Sequence, residues 1–151
     1  MKLKTRLHIP VIREFLDKQI VRYNTSDLNI NVWSKLFSKK EKKELGTNGG
    51  ECVPPLKNEN YKIRIWIDEK AHYPQDERCE VSTIKNRFIF DKVRVHNKDE
   101  SLAWILGHEF WHYLCFTKQE SGNVETKANT NGFKWLRIFR KRYESLQDIK
   151  R

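Results

Sequence analysis

One stretch of sequence decides how this chain can fold: DESLAWILGHEFWHYLCFTK, at residues 99–118. Its apolar residues recur at helical spacing and would form one buried stripe, which comprises Leu102, Leu106, Phe110, Tyr113 and Leu114. The acidic first turn, with Asn97 or Asp99 as the N-cap, favours the start of a helix at this point. The stretch therefore predicts a half-buried helix over residues 99–118.

Two histidines and a glutamate fall beside this stripe, at the rim of the predicted core. His108 and His112 are four residues apart, so on a helix both imidazoles lie on one face and can reach the same metal ion. Glu109 lies about 100° further round the helix, where it can approach a metal-bound water without being a ligand. H-E-x-x-H on a helix is the arrangement of zinc-dependent peptidases, and it predicts one zinc ion (Zn²⁺) here.

We expect the third ligand to be a carboxylate, because no histidine follows His112. We favour Glu125, which opens the next predicted helix over residues 123–147, since a rigid element holds ligand geometry better than a loop. The alternative is Glu120, in the predicted loop between the two helices. Asn129 lies four residues after Glu125 on the same helix face, where it could hydrogen-bond the free ring nitrogen of a ligand histidine and fix its tautomer.

The pattern H-E-x-x-H followed by E-x-x-A-N and an aromatic residue resembles the gluzincin-type zinc metallopeptidases of the ImmA/IrrE group and the very small minigluzincins. The matching residues are His108, Glu109, His112, Glu125, Ala128, Asn129 and Phe133. The resemblance implies a zincin-like α+β fold, a zinc ion bound by His108, His112 and Glu125, and Glu109 as the general base. It also implies that metal-activated water hydrolyses peptide bonds of a protein substrate.

A second interpretation keeps the metal without the catalysis, because fold and ligands do not guarantee activity. The chain carries 30 Lys and Arg against 20 Asp and Glu, a formal charge of +10. Basic residues cluster in residues 38–43 and 137–142. Excess positive charge attracts nucleic acid or acidic protein segments. The alternative is therefore a metal-stabilised module that binds nucleic acid or another partner through these basic faces.

The N-terminal part of the chain, residues 1–45, is predicted to be helical. Apolar residues recur at helical spacing in residues 10–23, and Pro10 suits the first turn of a helix. Similar spacing predicts a second helix over residues 31–45, ended by the glycine-rich segment that follows. Residues 52–60, which include two prolines, are expected to be a loop.

A small sheet is predicted for residues 61–95. Residues 61–68 alternate aromatic or aliphatic residues with polar ones, as a strand does. A second strand region is expected over residues 81–95, broken by a turn at residues 85–86, after a polar connection over residues 69–80. The sheet should be mainly antiparallel. The strand before the metal helix would lie beside the cleft, where extended peptide could pair with its edge.

The whole chain, residues 1–151, is expected to form one α+β domain in the cytoplasm. No apolar run approaches the roughly 18–20 residues that span a bilayer, so no membrane association is expected. Residues 1–10 contain no apolar signal core. The three cysteines, Cys52, Cys79 and Cys115, form no paired framework and fit reduced thiols.

Overall fold

A computed structural model describes residues 1–40, 48–84 and 87–149, with side chains described outside residues 77–91 and 144–149. Within these ranges the chain forms six strands and three helices. They are, in chain order, β1 (Lys2–Thr5), α1 (Pro10–Ile20), β2 (Leu28–Lys35), β3 (Asn48–Val53), β4 (Tyr61–Asp68), β5 (Gln75–Ile84), β6 (Arg87–Val95), α2 (Lys98–Phe116) and α3 (Glu125–Ile149). Among these described helices, none is both long and apolar enough to cross a membrane.

Two sheets make up the β part of this α+β structure. The larger one has the strand order β1-β2-β4-β3, in which β1, β2 and β4 are parallel and β3 runs antiparallel to β4 at one edge. The smaller one is the antiparallel hairpin of β5 and β6. The expectation of a mainly antiparallel sheet is wrong for the larger sheet, which is mixed. Its parallel pairing of β1 with β2 requires a crossover connection, and α1 is that connection.

The second predicted helix, over residues 31–45, is wrong for residues 31–38, while residues 39–40 are helical. Its first residues complete β2, whose apolar residues Leu28, Ile30 and Val32 are buried and alternate with polar ones. A period of two puts all three on one face of a strand, and this pattern overrides the helical spacing that predicted a helix. The part of that prediction beyond residue 40 lies outside the described residues.

β3 lies partly where the sequence predicted the start of a loop, at residues 52–60. Its adjacent glycines give it little strand propensity of its own. The buried Asn48 amide fixes its start instead. Asn48 Nδ2 donates to Ser101 Oγ of α2 at 3.0 Å, and the Asp68 N–H of β4 donates to Asn48 Oδ1 at 3.0 Å. The strand is therefore placed by contacts between residues that are distant in sequence.

The hairpin of β5 and β6 takes up part of the predicted connection over residues 69–80, because β5 already begins at Gln75. Val93 and Val95 of β6 are buried in a small cluster with a residue of α3, which seats the hairpin on the helix layer. The predicted turn at residues 85–86 lies outside the described part of the chain.

The three helices and one face of the larger sheet share the main core. The three helices were predicted over residues 10–23, 99–118 and 123–147, and they are observed over Pro10–Ile20, Lys98–Phe116 and Glu125–Ile149. The buried residues of the core include Leu28, Ile30, Val32, Ile63, Ile65 and Ile67 from the sheet and Phe15, Leu106, Phe110, Tyr113 and Trp135 from the helices. The α2 helix therefore carries the apolar stripe that its sequence predicts.

An ion pair at Glu100 ties the start of α2 to α3. Asn97 is the N-cap, and its Oδ1 accepts a hydrogen bond from the Glu100 N–H at 2.9 Å. The Glu100 carboxylate accepts from Arg140 Nη2 at 2.7 Å and from the His96 N–H at 2.9 Å. Burial would raise the pKa of Glu100, but these hydrogen bonds and the Arg140 charge outweigh it and hold the pKa below its ordinary value. The two helices are thus held together at the end away from the histidines.

Candidate metal centre

The two histidines of α2 lie close together and are largely buried. Their Nε2 atoms are 3.3 Å apart, and their ring centroids are 5.0 Å apart. His108 is one turn before His112 on the same helix face, so helical geometry alone brings the two rings to this distance. The Nε2 atoms of the two predicted ligand histidines therefore lie close enough to bind the same ion.

Each imidazole is oriented by an asparagine. His108 Nδ1–H donates to Asn129 Oδ1 at 2.8 Å, and His112 Nδ1–H donates to Asn123 Oδ1 at 2.6 Å. A carbonyl oxygen only accepts, so each neutral ring carries its proton on Nδ1 and presents an unprotonated Nε2. Two lone pairs that face each other across 3.3 Å favour a cation between them.

The two asparagines differ in how they could be found from the sequence. Asn129 is buried in α3 and makes the contact that its spacing from Glu125 suggests. Asn123 is exposed in the loop before α3 and was missed. It stands two residues before Glu125, so a search of the returning loop for a side-chain oxygen opposite the second histidine would have found it.

The Glu125 carboxylate approaches both imidazoles from the start of α3. Its Oε2 lies 3.3 Å from His108 Nε2, and its Oε1 lies 3.3 Å from His112 Nε2. Ligand atoms at about 2.0–2.1 Å from a tetrahedral zinc ion lie about 3.3 Å from one another, so the spacing fits such an ion. Glu120, the alternative third ligand, is not among the described residues that line the cleft around these groups.

Glu109 lies beside this triangle and is only 6% exposed. Its Oε1 is 4.0 Å from His108 Nε2, and its carboxylate accepts a hydrogen bond from the backbone N–H of Cys52 in β3. Burial raises the pKa of Glu109 to about 7. The charge of His108 opposes this rise, and the charges of Glu125 and Glu51 add to it.

The charges of the site shift one another's pKa values. Burial would lower the pKa of His108, but Glu125 and Glu109 outweigh burial and raise it. The hydrogen bond with His108 lowers the pKa of Glu125 against the effect of burial, and His112 adds to this. Two carboxylates beside two imidazoles that are neutral in their metal-binding form give the site a surplus of negative charge, which a cation would balance.

The site opens into a cleft of about 480 Å³. β3 forms one wall through Gly50, Glu51 and Cys52, and α2 and the residues around the start of α3 form the other. The strand just before α2 was expected to form this wall, but among the described side chains the strand that lines the cleft is β3, and the strand before α2 belongs to the separate hairpin. Among the described strands β3 pairs only with β4, because it ends the strand order of the larger sheet, and the N–H of its Cys52 donates to Glu109.

Two cysteines stand near the site, and both are free thiols. Cys52 lines the cleft, where burial and the charge of Glu109 raise the pKa of its thiol to about 12. Burial also raises the pKa of Cys115, which does not line the cleft. Since the thiolate is the form that attacks substrates, the raised pKa values make both thiols weak nucleophiles at neutral pH.

The basic cluster at residues 137–142 is partly neutralised in the fold. Arg140 pairs with Glu100 at 2.7 Å, and Arg142 pairs with Glu14 at 3.0 Å. Arg137 and Lys141 remain exposed on α3. Of the cluster at residues 38–43, the part from residue 41 lies outside the described residues. The cluster at residues 137–142 is therefore a weaker positively charged surface than its sequence suggests.

His108, Glu109 and His112 form a group whose ligand atoms all lie within 4.8 Å of one another, and this group could hold a metal ion. No protein-family model, curated protein or solved structure matches the chain. The identity of the ion and the chemistry of the site therefore have to be inferred from the side chains themselves.

Proposed function

We propose that this protein is a zinc-dependent endopeptidase with a zincin-like fold, in which His108, His112 and Glu125 hold the zinc ion. The observation that carries the proposal is the triangle of donor atoms, in which each imidazole Nε2 lies 3.3 Å from the other and 3.3 Å from a Glu125 oxygen. The asparagine partners support it, because they leave both Nε2 atoms free to act as ligands.

Zinc suits this donor set better than a hard cation does. Two imidazoles and one carboxylate are ligands typical of catalytic zinc, whereas magnesium and calcium prefer oxygen ligands throughout. Three protein ligands also leave a fourth position open, as catalytic zinc sites require. When bound, zinc would supply a Lewis acid that polarises a carbonyl group and lowers the pKa of water to about 7.

Glu109 is proposed as the general base. It lies 4.0 Å from His108 Nε2, further than the 3.3 Å of Glu125, so it stands beside the ligand triangle and not in it. The Cys52 N–H holds its carboxylate from the opposite side of the cleft. In the proposed reaction Glu109 accepts a proton from the attacking water and later delivers it to the leaving amine.

The proposed substrate is a protein segment in extended form. β3 is an edge strand and forms one wall of the cleft. The N–H and C=O groups of an edge strand can pair with an extended peptide without demanding a particular sequence. Phe116 lines the same cleft and is 37% exposed, so it offers an apolar surface to a substrate side chain.

The proposed location of this activity is the cytoplasm. Cys52 and Cys115 are free thiols, and thiols stay reduced in that compartment. A disulfide at either residue in protein taken directly from its own cells would contradict this location.

The metal part of the proposal is tested by zinc content after purification without added metal. We expect about one zinc per wild-type chain and a large loss in Glu125→Ala, because removal of one ligand leaves two imidazoles to hold the ion. Glu120→Ala is the matched control, since it removes a carboxylate from the neighbouring loop, and it should keep its zinc. Equal zinc in wild type and Glu125→Ala would contradict the assignment of the third ligand.

The catalytic part is tested with Glu109→Gln, which keeps the shape of the side chain and removes its basicity. Peptides from a whole-proteome digest are incubated with each protein, and new termini are identified by mass spectrometry. We expect Glu109→Gln to keep its zinc and to lose about two to four orders of magnitude in rate. Zinc binding without cleavage by the wild type would favour the alternative, a metal-stabilised binding module.

A further inference from the structure

The two faces of the larger sheet are occupied differently. One face carries the main core and the helices. The other, which we call the open face, carries the alternate residues of β2 and β4. The register pairs them as Asn29 with Lys62, Asn31 with Arg64, and Trp33 with Trp66. All six are half-buried or exposed. The described chain therefore leaves this face without the covering layer of helices that the other face has.

Two tryptophans form an aromatic surface in the middle of the open face. Trp33 and Trp66 are direct neighbours across β2 and β4, with ring centroids 6.2 Å apart and planes inclined by 43°. Trp33 is 38% exposed. Three atoms of the Trp66 indole lie 2.7–3.1 Å from where a Cβ on Gly49 would stand, so this ring lies across β3. Together the two indoles extend over three strands.

Cations lie in the rows of the open face next to the tryptophan row. Lys2 and Lys4 of β1 are exposed and continue the same rows across the sheet, opposite Asn29 and Asn31. Arg64 lies one row away from the tryptophans, and its partner is the exposed Glu51 at 3.2 Å. No acidic partner of Lys4 is found among the described side chains. The local excess of positive charge has the same sign as the +10 of the whole chain.

A groove of about 800 Å³ leads from Trp33 to the edge of the sheet at β1. Its lining includes Trp33, Asn31, Lys4 and Arg6. Its acid, Glu69, accepts a hydrogen bond from Ser34 at 3.0 Å. An indole, an amide and two cations thus line one groove of a size that admits a nucleotide.

We propose that the open face binds single-stranded nucleic acid, with unpaired bases stacked on Trp33 and Trp66 and phosphates beside Lys4 and Arg6. Stacking on aromatic side chains combined with a basic path for the backbone is how proteins bind single strands. Sheets that bind RNA present their aromatic residues in this way, on an uncovered face. The amides of Asn29 and Asn31 add donors and acceptors for base edges.

A duplex fits the surface less well, because its bases are stacked on one another and their faces are hidden. An acidic peptide would complement the cations but would leave the indoles without flat partners. This binding is independent of the proposed peptidase function, since none of these residues touches His108, Glu109 or Glu125. Failure of one proposal leaves the other standing.

The test is fluorescence anisotropy of labelled oligo(U) and oligo(dT) of about 12 nucleotides, a length in the range of single-strand binding sites. We expect dissociation constants of roughly 1–100 µM, weaker binding as salt rises, and weaker binding of a duplex of the same length. Equal affinity for both oligomers assigns the face to single strands in general. A preference for oligo(U) assigns a contact to the 2′-hydroxyl.

Trp33→Ala should weaken binding about 5- to 100-fold, the range for loss of one stacked base, and Trp33→Phe should retain most of the affinity. Lys4→Ala should lower the salt dependence by about one phosphate contact. Arg137→Ala is the matched control, because it removes an exposed cation from α3, away from the open face. Thermal unfolding and the circular dichroism spectrum of each variant show whether the fold is kept.

Three results would overturn the proposal. One is unchanged affinity in folded Trp33→Ala. The second is binding that depends on net charge alone. It would be shown by an effect of Arg137→Ala as large as that of Lys4→Ala, or by competition from poly-glutamate as strong as that from oligo(U). The third is a wild-type dimer in sedimentation that Trp33→Ala dissociates, because the open face would then be covered by a second copy of the chain.

Discussion

The two faces of the four-stranded sheet are built from the same strands and have opposite properties. In β4 the residues Ile63 and Ile65 are completely buried against the helices, while Arg64 between them is half-buried and faces away. β2 repeats the alternation with buried Ile30 and exposed Trp33. The contrast teaches that the helix side supplies the stability of the fold, which leaves the residues of the other side free to serve recognition.

β3 is the strand that contacts both the open face and the candidate metal centre. Its neighbouring glycines point to opposite sides: a Cβ on Gly49 would meet Trp66, and a Cβ on Gly50 would meet Ile105 and Glu109. One short edge strand therefore lies under the aromatic surface on one side and against the candidate metal centre on the other.

The largest expected difference between the faces is in stability. Ile63→Ala leaves a cavity in the main core and should cost about 2–5 kcal/mol in the free energy of unfolding, measured by urea denaturation. Arg64→Ala, the adjacent residue on the open face, removes only an exposed ion pair with Glu51 and should cost about 0.2–1 kcal/mol. Equal costs would mean that the open face is also part of a packed core.

The next largest difference in stability is expected between the ion pair of Glu100 with Arg140 and that of Glu51 with Arg64. Glu100→Gln in the helix layer should cost roughly 1.5–3 kcal/mol at pH 7, the range for a hydrogen bond to a charged group. Since folding lowers the pKa of Glu100, its stabilisation is present above the unfolded pKa and is lost as pH falls through the folded one. The gap between wild type and Glu100→Gln should therefore stay constant above the unfolded pKa of a glutamate, about 4.3, and shrink as pH falls below it.

Glu51→Gln is the matched control for that experiment, because its ion pair with Arg64 lies on the exposed surface. We expect a cost of about 0–1 kcal/mol at pH 7. A Glu100→Gln protein that is as stable as wild type at pH 7 would show that Arg140 finds an equivalent partner without the Glu100 charge.

The smallest expected difference in stability is between the two glycines of β3. Gly50→Ala forces a Cβ to within 2.7 Å of Ile105 and 2.9 Å of Glu109, so it should cost about 1–3 kcal/mol and lower any peptidase activity. Gly49→Ala meets the half-buried Trp66 ring, which can swing toward solvent, and should cost less. Thermal unfolding measures both, and a larger cost for Gly49→Ala would reverse the assignment of the two faces.

Sequence reasoning succeeded where the information is local. The α2 helix and its two histidines follow from a repeat of three to four residues, and Glu125 and Asn129 follow from the spacing within the next helix. Each of these features is specified within one or two helical turns. Their approach to each other in space was a prediction from chemistry, and the structure brings all four side chains to within hydrogen-bonding or ion-pairing distance.

The features that the sequence did not predict depend on contacts between residues that are far apart in the chain. Nothing in the glycine-rich sequence of β3 favours a strand, because its place depends on pairing with β4 and on the Asn48 hydrogen bonds. The parallel order of the sheet was missed because residues 1–45 were predicted to be helical, which removed both strands of the β1–α1–β2 crossover. Asn123 was missed because the helix was predicted to begin at residue 123, whereas it begins at Glu125 and Asn123 lies in the loop before it, opposite His112.

The position of Glu125 at the beginning of α3 has a thermodynamic consequence. A cation held by His112 and Glu125, as proposed, would close the intervening loop into a ring, much as a cross-link does, and the unfolded chain would have no such ring to bind it. Folding and cation uptake are then linked equilibria. The melting temperature should rise with the logarithm of the free zinc concentration once the site is near saturation. The fraction of folded protein would then depend on how much zinc its surroundings contain.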